Sequence, residues 1–250
     1  MTLNELKFLS SLQQKKYRSV CRCFLVEGSK SVKEVLQSDY IVKQVYATKQ
    51  YMEKHPDFLH DICIVSEKES ERISSLFTAP DIFALVEMKP ETPFPVGQCK
   101  KLLLLDDIQN CGNVGTIIRT ADWFGIQCVV CSENTAELYN PKTIQATMGS
   151  FARVDVYTAN LYEFIKTHEN FYTFIGTFMD GQSIREYLFP EYSAIVLGKE
   201  SIGISSKLTR LIREKITIPR CEGEKNAKLF PDSLNVSLSA GIICYELGKM

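Results

Sequence analysis

The chain has little that would mark it for a membrane, a metal or a one-signed ligand. Its longest purely aliphatic run is Leu102 to Leu105, far short of the ~18 apolar residues that a spanning helix needs. The polar start MTLNELKFLSSLQQKK has no signal-peptide core, so a cytoplasmic location is expected. Three histidines, His55, His60 and His168, show neither H-E-x-x-H spacing nor a ligand cluster, which leaves zinc and Ser-His-Asp readings without support and predicts no metal. Charge of one sign is missing too: 29 basic and 30 acidic side chains give a formal net charge of −1. Any affinity for nucleic acid must therefore come from local patches.

Cysteine is plentiful at nine, but the count is odd and the residues are scattered. That pattern favours reduced thiols over a disulfide framework. Cys128 and Cys131 form a lone C-x-x-C inside IQCVVC. On a strand, residues three apart point to opposite faces, so the pair reads as core thiols.

What is present is a foldable chain of 250 residues with 45% hydrophobic side chains, enough for one large domain or two modest ones. Pro90, Pro93, Pro95 and Gly97 concentrate in MKPETPFPVGQ and predict a linker over 89–98. Before it, over 1–88, the β-type runs CFLVEG, IVKQVYAT, ICIVS and IFALVEM alternate with helical stretches such as SKSVKEVLQ. This reads as a small α/β domain. After it, over 99–250, KLLLLDD, IQCVVCS, RVDVYTA, FYTFIGTF, SAIVLGKE and KITIP alternate with helical segments including TIIRTADWF, LYEFIKTHE and SLSAGIICYEL. Short apolar runs between helices predict a mostly parallel, buried sheet with helices on both faces. Neither half is basic, yet Lys15, Lys16, Arg18, Arg22, Lys30 and Lys33 are opposed only by Glu27 within 15–33. Tyr17 and Phe24 are interleaved, a composition suited to RNA phosphates and equally to a solvated helix face.

Three stretches can carry chemistry. LLLLDDIQNCGNVGTIIRTADWFG (102–125) reads as a strand, a polar turn holding Gly112 and Gly115, and a helix. Such a helix start can bind an anion. A nicotinamide dinucleotide site, with Glu133 as ribose ligand, is weakened by the spacing Gly112-x-x-Gly115, which is not G-x-G-x-x-G. Arg119 lies on an otherwise apolar helix, where a charge usually has a partner or a task. IVLGKESIGIS (195–205) repeats the strand-to-glycine design, with Glu200 either functional or capping the next helix. KITIPRCEGEKNAKLFPDSLNVSLSAGIICYEL places Ser233 and Asn235 at a helix start, where capping alone would explain either.

Taken in order, N-x-G-x-x-x-R-T-A-D-x-F-G, L-G-x-E-x-x-G, and I-P followed by S-L-N-V-S-x-S-A-x-I-x-x-Y-E resemble the signature of the SpoU (TrmH-type) RNA ribose methyltransferases of the SPOUT class. FLVEGSKSVKEVL resembles the start of that family's N-terminal RNA-binding domain, a ribosomal-protein-like α/β fold. The resemblance implies a deep trefoil knot in the C-terminal α/β domain, an exception to unknotted chains, and a homodimer formed through it. It implies S-adenosylmethionine as cofactor, held bent by the knot loops. The expected reaction is methyl transfer to a ribose 2′-hydroxyl, with large-subunit ribosomal RNA preferred over transfer RNA as partner. The family's catalytic positions fall on Asn113, Arg119, Glu200, Ser233 and Asn235. Its cofactor contacts fall on Leu197, Gly198, Ile218 and Leu234, with Met148 and Gly149 of TIQATMGS near the same pocket. The RNA-binding expectation falls on Lys15, Lys16, Arg18, Arg22 and Lys30. Lys199, Ser201 and the long charged excursion EGEKNAK depart from the family pattern. They leave room for a noncatalytic RNA-binding or assembly protein that keeps the fold.

Overall fold

The N-terminal alternation of apolar and polar stretches folds into a mixed sheet covered on both faces. In the computed structural model, which describes residues 1–58, 60–220 and 233–248, the chain divides into two compact units. One comprises Met1–Glu91 with Glu137–Arg153, the other Thr92–Ala136 with Val154–Met250.

In the first unit, α1 (Leu3–Ser11) begins at Thr2, whose hydroxyl accepts the Glu5 amide while Glu5 reaches back to the Thr2 N–H, a reciprocal cap. Helix α2 (Lys15–Cys21) ends at Arg22, whose left-handed backbone (φ 54°) reverses the chain into β1 (Cys23–Glu27). There follow α3 (Ser29–Leu36), β2 (Val42–Thr48), α4 (Lys49–Lys54), β3 (Ile62–Val65), α5 (Glu67–Ile73) and β4 (Ile82–Glu87). The sheet order is β1-β4-β2-β3, with β4 antiparallel to both neighbours. Alternation along β1 sends Phe24 and Val26 to a core with Val32 and Val35 of α3, and Cys23 and Leu25 to one with Leu6 and Leu9 of α1.

The second unit opens with β5 (Lys101–Leu105), α6 (Cys111–Trp123) and β6 (Cys128–Cys131). The chain then returns to the first unit for α7 (Pro141–Thr147) and a 3-10 turn at Ser150–Ala152, whose Ile144 and Phe151 complete the α3 core. The remaining elements are β7 (Asp155–Thr158), α8 (Leu161–His168), β8 (Thr173–Ser183), β9 (Ser193–Leu197), α9 (Ser206–Thr209), β10 (Glu214–Thr217) and α10 (Val236–Leu247). Their sheet runs β10-β8-β9-β5-β6-β7 and every pair is parallel. Strand order reverses between β9 and β5, and in open parallel sheets ligands bind at the carboxyl ends beside such a reversal. α8 and α9 cover one face through Leu161, Phe164, Ile165 and Leu208, joined by Ile212 just beyond α9.

Several expectations need correction. Gly112 and Gly115 do not form a turn: Asn110 accepts the Asn113 amide at 3.1 Å, so α6 already begins at Cys111 and both glycines lie inside it. The proline-rich segment is not a free linker from end to end. Phe94 packs edge-on against Tyr157, Phe164 and Tyr172, and residues from Thr92 onward belong to the second unit. The thiols are not all reduced. Cys99 and Cys128 are joined, with Cα atoms 6.4 Å apart, because the register that pairs Leu102 with Cys128 brings the start of β6 beside the approach to β5. Cys131 does remain a buried free thiol.

Candidate active site

At the carboxyl edge between β5 and β9, two loops are tied together. Asp106, buried at the end of β5, accepts the Ser205 amide at 2.7 Å and so anchors the far end of the 198–205 loop. Within the loop, Lys199 and Gly203 exchange backbone hydrogen bonds at 3.1 and 2.7 Å. The crossing is so close that a Cβ on Gly198 would lie 2.2 Å from the Gly203 carbonyl carbon and from the Ile204 nitrogen. Only glycine fits there. Lys199 Nζ donates to Gln109 Oε1 at 3.1 Å, so the two positions that depart from the family pattern, Lys199 and exposed Ser201, sit in a loop that closes normally.

The three sequence stretches meet through one side chain. Asn113, on the first turn of α6, donates its Nδ2 hydrogen to Glu200 Oε1. Its Oδ1 accepts from Asn235 Nδ2 at 3.2 Å. Asn235 in turn caps α10, its Oδ1 accepting from the Ser237 amide at 2.9 Å. Glu200 is thus bound to Asn113 and not used to cap α9, whose first turn has no side-chain cap.

Beside this chain of amides lies a cavity of about 810 Å³, within the size range of small-molecule sites, lined by segments 177–180, 197–204, 216–220 and 233–243. Leu197, Gly198, Glu200, Ile218, Ser233 and Leu234 all line it. The floor was not foreseen. β10 pairs with Gly176 and then with Gln182, so residues 177–181 leave the ladder, and Thr177 to Asp180 become cavity wall. A Cβ on Gly181 would stand 2.4 Å from the Ile216 backbone, which holds the crossing close. The available signal was the MDGQ break after an apolar run. Apolar walls from Leu197, Ile218 and Leu234, a backbone that approaches closely at Gly198, and carboxylates at Glu200 and Asp180 suit a purine nucleoside bearing a cationic sulfonium.

Other predicted residues lie elsewhere. Arg119 is exposed, does not line the cavity, and stands ~120° round α6 from Asn113. Met148 and Gly149 do not line the cavity either. They belong to the first unit, where Met148 ends α7 in the left-handed region. Gly149 has φ +97°, a region that favours glycine, and a Cβ there would meet the Glu34 side chain of α3 at 2.6 Å. The excursion EGEKNAK lies outside the described residues.

Of the predicted RNA contacts, Lys15, Lys16, Arg22 and Lys30 are exposed, and Arg22 donates to the Lys89 carbonyl at 2.8 Å. Arg18 is a correction: it is only 2% exposed. Its guanidinium donates to the carbonyls of Leu12 and Gln13, each at 2.8 Å, and to Glu137, so it holds the fold of the first unit.

The SpoU rRNA methylase family matches residues 100–245, and an MRM3-like substrate binding domain matches residues 4–84. The chain belongs to the SpoU rRNA methylase family, and its second unit has the α/β fold of the knotted SPOUT methyltransferases. It is 29% identical over 248 residues to the 23S rRNA (guanosine(2553)-2′-O)-methyltransferase RlmP of Bacillus subtilis, covering 97% of this chain and 95% of that protein. A putative RNA methyltransferase of the TrmH family from Porphyromonas gingivalis superposes with a TM-score of 0.86 and 34% identity over 98% of this chain and 97% of that one. The AdoMet-bound rRNA methyltransferase of Sinorhizobium meliloti gives a TM-score of 0.83 and 26% identity, covering 98% and 95%.

Proposed function

We propose that this chain transfers a methyl group from S-adenosylmethionine to a ribose 2′-hydroxyl in large-subunit ribosomal RNA, acting as a homodimer in the cytoplasm. The observation that carries the reading is the meeting of three sequence-distant stretches through Asn113, linked to both Glu200 and Asn235, beside a cavity that Glu200 lines. The RNA species follows from the relative in B. subtilis, whose name specifies 23S rRNA and spans nearly the whole of both chains. No helix among the described residues is long and apolar enough to cross a membrane.

When bound, the cofactor supplies a methyl already activated on a sulfonium. Leu197, Gly198, Ile218 and Leu234 would hold it. The protein's part is alignment and charge. Asn113 and Asn235 fix each other's amide orientation, Glu200 orients Asn113, and Ser233 offers a hydroxyl at the cavity wall. Together they position the target hydroxyl, an effect worth roughly 7–11 kcal/mol in well-oriented systems. Arg119, exposed on α6 outside the cavity wall, is the cation that grips the target nucleotide's phosphate and stabilises the developing alkoxide.

The dimer face is supplied by α6 and α10, which pack together. Leu238, Ile242 and Tyr245 fall on one stripe of α10 and are exposed, as is Trp123 at the end of α6 (84%). Covering such a patch is the ordinary reason for association.

Labelled methyl transfer to unmodified ribosomal and transfer RNA pools, with the Arg119→Ala protein as control, tests the proposal. Alkali-resistant 2′-O-methylribose in the ribosomal pool is expected. Labelling of transfer RNA alone would move the substrate class, and RNA binding without transfer to either pool would establish the noncatalytic alternative.

A further inference from the structure

The second unit carries a cationic cluster that the methyl-transfer site does not use. Lys166 of α8 and Lys207 of α9 both sit over the ring of Tyr162, at 4.5 and 4.1 Å from its centroid. Arg210 joins Lys207, Ser206, Leu211 and Tyr162 around a recess of about 360 Å³. Lys166, Lys207 and Arg210 are exposed, and none forms an ion pair among the described residues. Glu163 and Glu169 flank Lys166 along α8 and act on it only through space. A chain with net charge −1 therefore gathers two lysines over one aromatic ring, with Arg210 on the recess beside it, an arrangement suited to an anion.

Position gives the cluster its meaning. α8 begins three residues after β7 ends, and α9 begins directly after the 198–205 loop, so both helices start at the carboxyl edge of the parallel sheet, the edge that holds the cavity; Tyr162 and Lys207 lie in those first turns, and Lys166 lies one turn further along α8. Ser205, whose amide is bound by Asp106, is the residue before α9. Resting on the methyltransferase reading, we propose that Lys166, Lys207, Arg210 and Tyr162 form a second RNA contact, on the catalytic unit itself. It binds backbone phosphates of the strand flanking the target nucleotide, with the Tyr162 ring beside a sugar or base. Cations with an interleaved aromatic suit single-stranded RNA.

The test compares wild type with the Lys166→Gln, Lys207→Gln, Arg210→Gln triple variant. Readouts are affinity for a fluorescent single-stranded RNA across a salt series, the KM for unmodified ribosomal RNA, and S-adenosylmethionine affinity. The expected result is a roughly tenfold weaker RNA affinity and KM, a salt slope smaller by about 2, and unchanged cofactor affinity. Restoring Arg210→Lys with both lysines intact should recover most of the slope. Unchanged RNA affinity and slope in a triple variant that still binds cofactor would overturn the inference, as would equal competition by polyglutamate and RNA at the cluster. If the triple variant loses cofactor binding through misfolding, the three exposed single variants are read in the same way. Should wild type bind RNA yet transfer no methyl, the enzymatic reading fails while the salt slopes still decide this one.

Discussion

Asn113 donates to Glu200 and accepts from Asn235, so a single amide joins the start of α6, the loop after β9 and the cap of α10. The carboxamide is needed because it offers a donor and an acceptor at once. Asn113→Ala removes both bonds, one of them to a carboxylate, and should cost about 1.5–3 kcal/mol in transition-state stabilisation. That corresponds to a 10- to 100-fold fall in kcat/KM. Single-turnover methyl transfer measures it, and a value within twofold of wild type would remove Asn113 from the site. Asn113→Asp should be worse, since it sets a second carboxylate against Glu200.

Gly198→Ala tests the cofactor loop. The added methyl would lie 2.2 Å from two backbone atoms of residues 203 and 204, and backbone cannot swing aside as a side-chain tip does. Overpacking of this kind costs about 1–3 kcal/mol. The variant should fold with a lowered melting temperature, and S-adenosylmethionine should no longer raise it, whereas wild type gains stability from ligand by mass action. A normal ligand-induced rise would refute the assignment of this loop.

Arg119→Lys keeps the charge and loses the planar fork. Arg119 does not line the cavity, so cofactor affinity measured by calorimetry should be unchanged. Turnover should fall by about 100-fold if the arginine stabilises charge in the transition state. Near-normal turnover would show that any cation suffices and would end the bidentate role.

The legible parts of this protein were those written in local pattern. The β-type run CFLVEG predicted β1, and the run LLLL before DDIQN predicted β5 and a site at its end. What stayed hidden depends on partners far along the chain. Nothing near Arg18 says that Glu137, more than a hundred residues away, will meet it. Its neighbours Lys15, Lys16 and Arg22 made it look like one more surface cation. FYTFIGTF read as strand, as β8 is, but the exchange of ladder for cavity wall from Thr177 onward is imposed by the register of β10. Gly149 read as a cofactor glycine, and its left-handed backbone and its contact with Glu34 on α3 could not be read from the local pattern. The Asn110 cap was visible as a residue type, yet the glycines after it suggested a turn where a helix begins.

The burial of Arg18 separates two kinds of basic residue within one short stretch. Arg18→Ala removes the donor from two carbonyls and one of the two cations on Glu137, which keeps Lys15 at 3.5 Å, and losing hydrogen bonds to a charged group typically costs about 1.5–3 kcal/mol. Its melting temperature should drop clearly. A Lys16→Ala, Lys30→Ala double variant should melt as wild type does but bind RNA with a salt slope smaller by about 1–2. Thermal unfolding and salt-dependent binding run on both proteins check the contrast. An Arg18→Ala protein of full stability would return that residue to the RNA-binding surface.

The free thiols should divide by burial. Desolvation pushes Cys131 and Cys244 up to about 12, so at pH 8 they hold almost no thiolate, the nucleophilic form. Cys111 is half-buried at the first turn of α6, where a small reagent can reach it. Brief iodoacetamide treatment at pH 8 followed by peptide mass spectrometry should modify Cys111 and spare Cys131 and Cys244. The same burial sets a pH limit. Between the ordinary thiol value of 9.0 and about 12, the unfolded chain releases two protons that the folded chain retains. The stability they contribute is full below pH 9 and is lost as pH rises toward 12. Replacing both by Ala would remove that dependence, at the cost of two small cavities, and denaturant unfolding at pH 8 and pH 10.5 would show whether the difference between the two pH values shrinks.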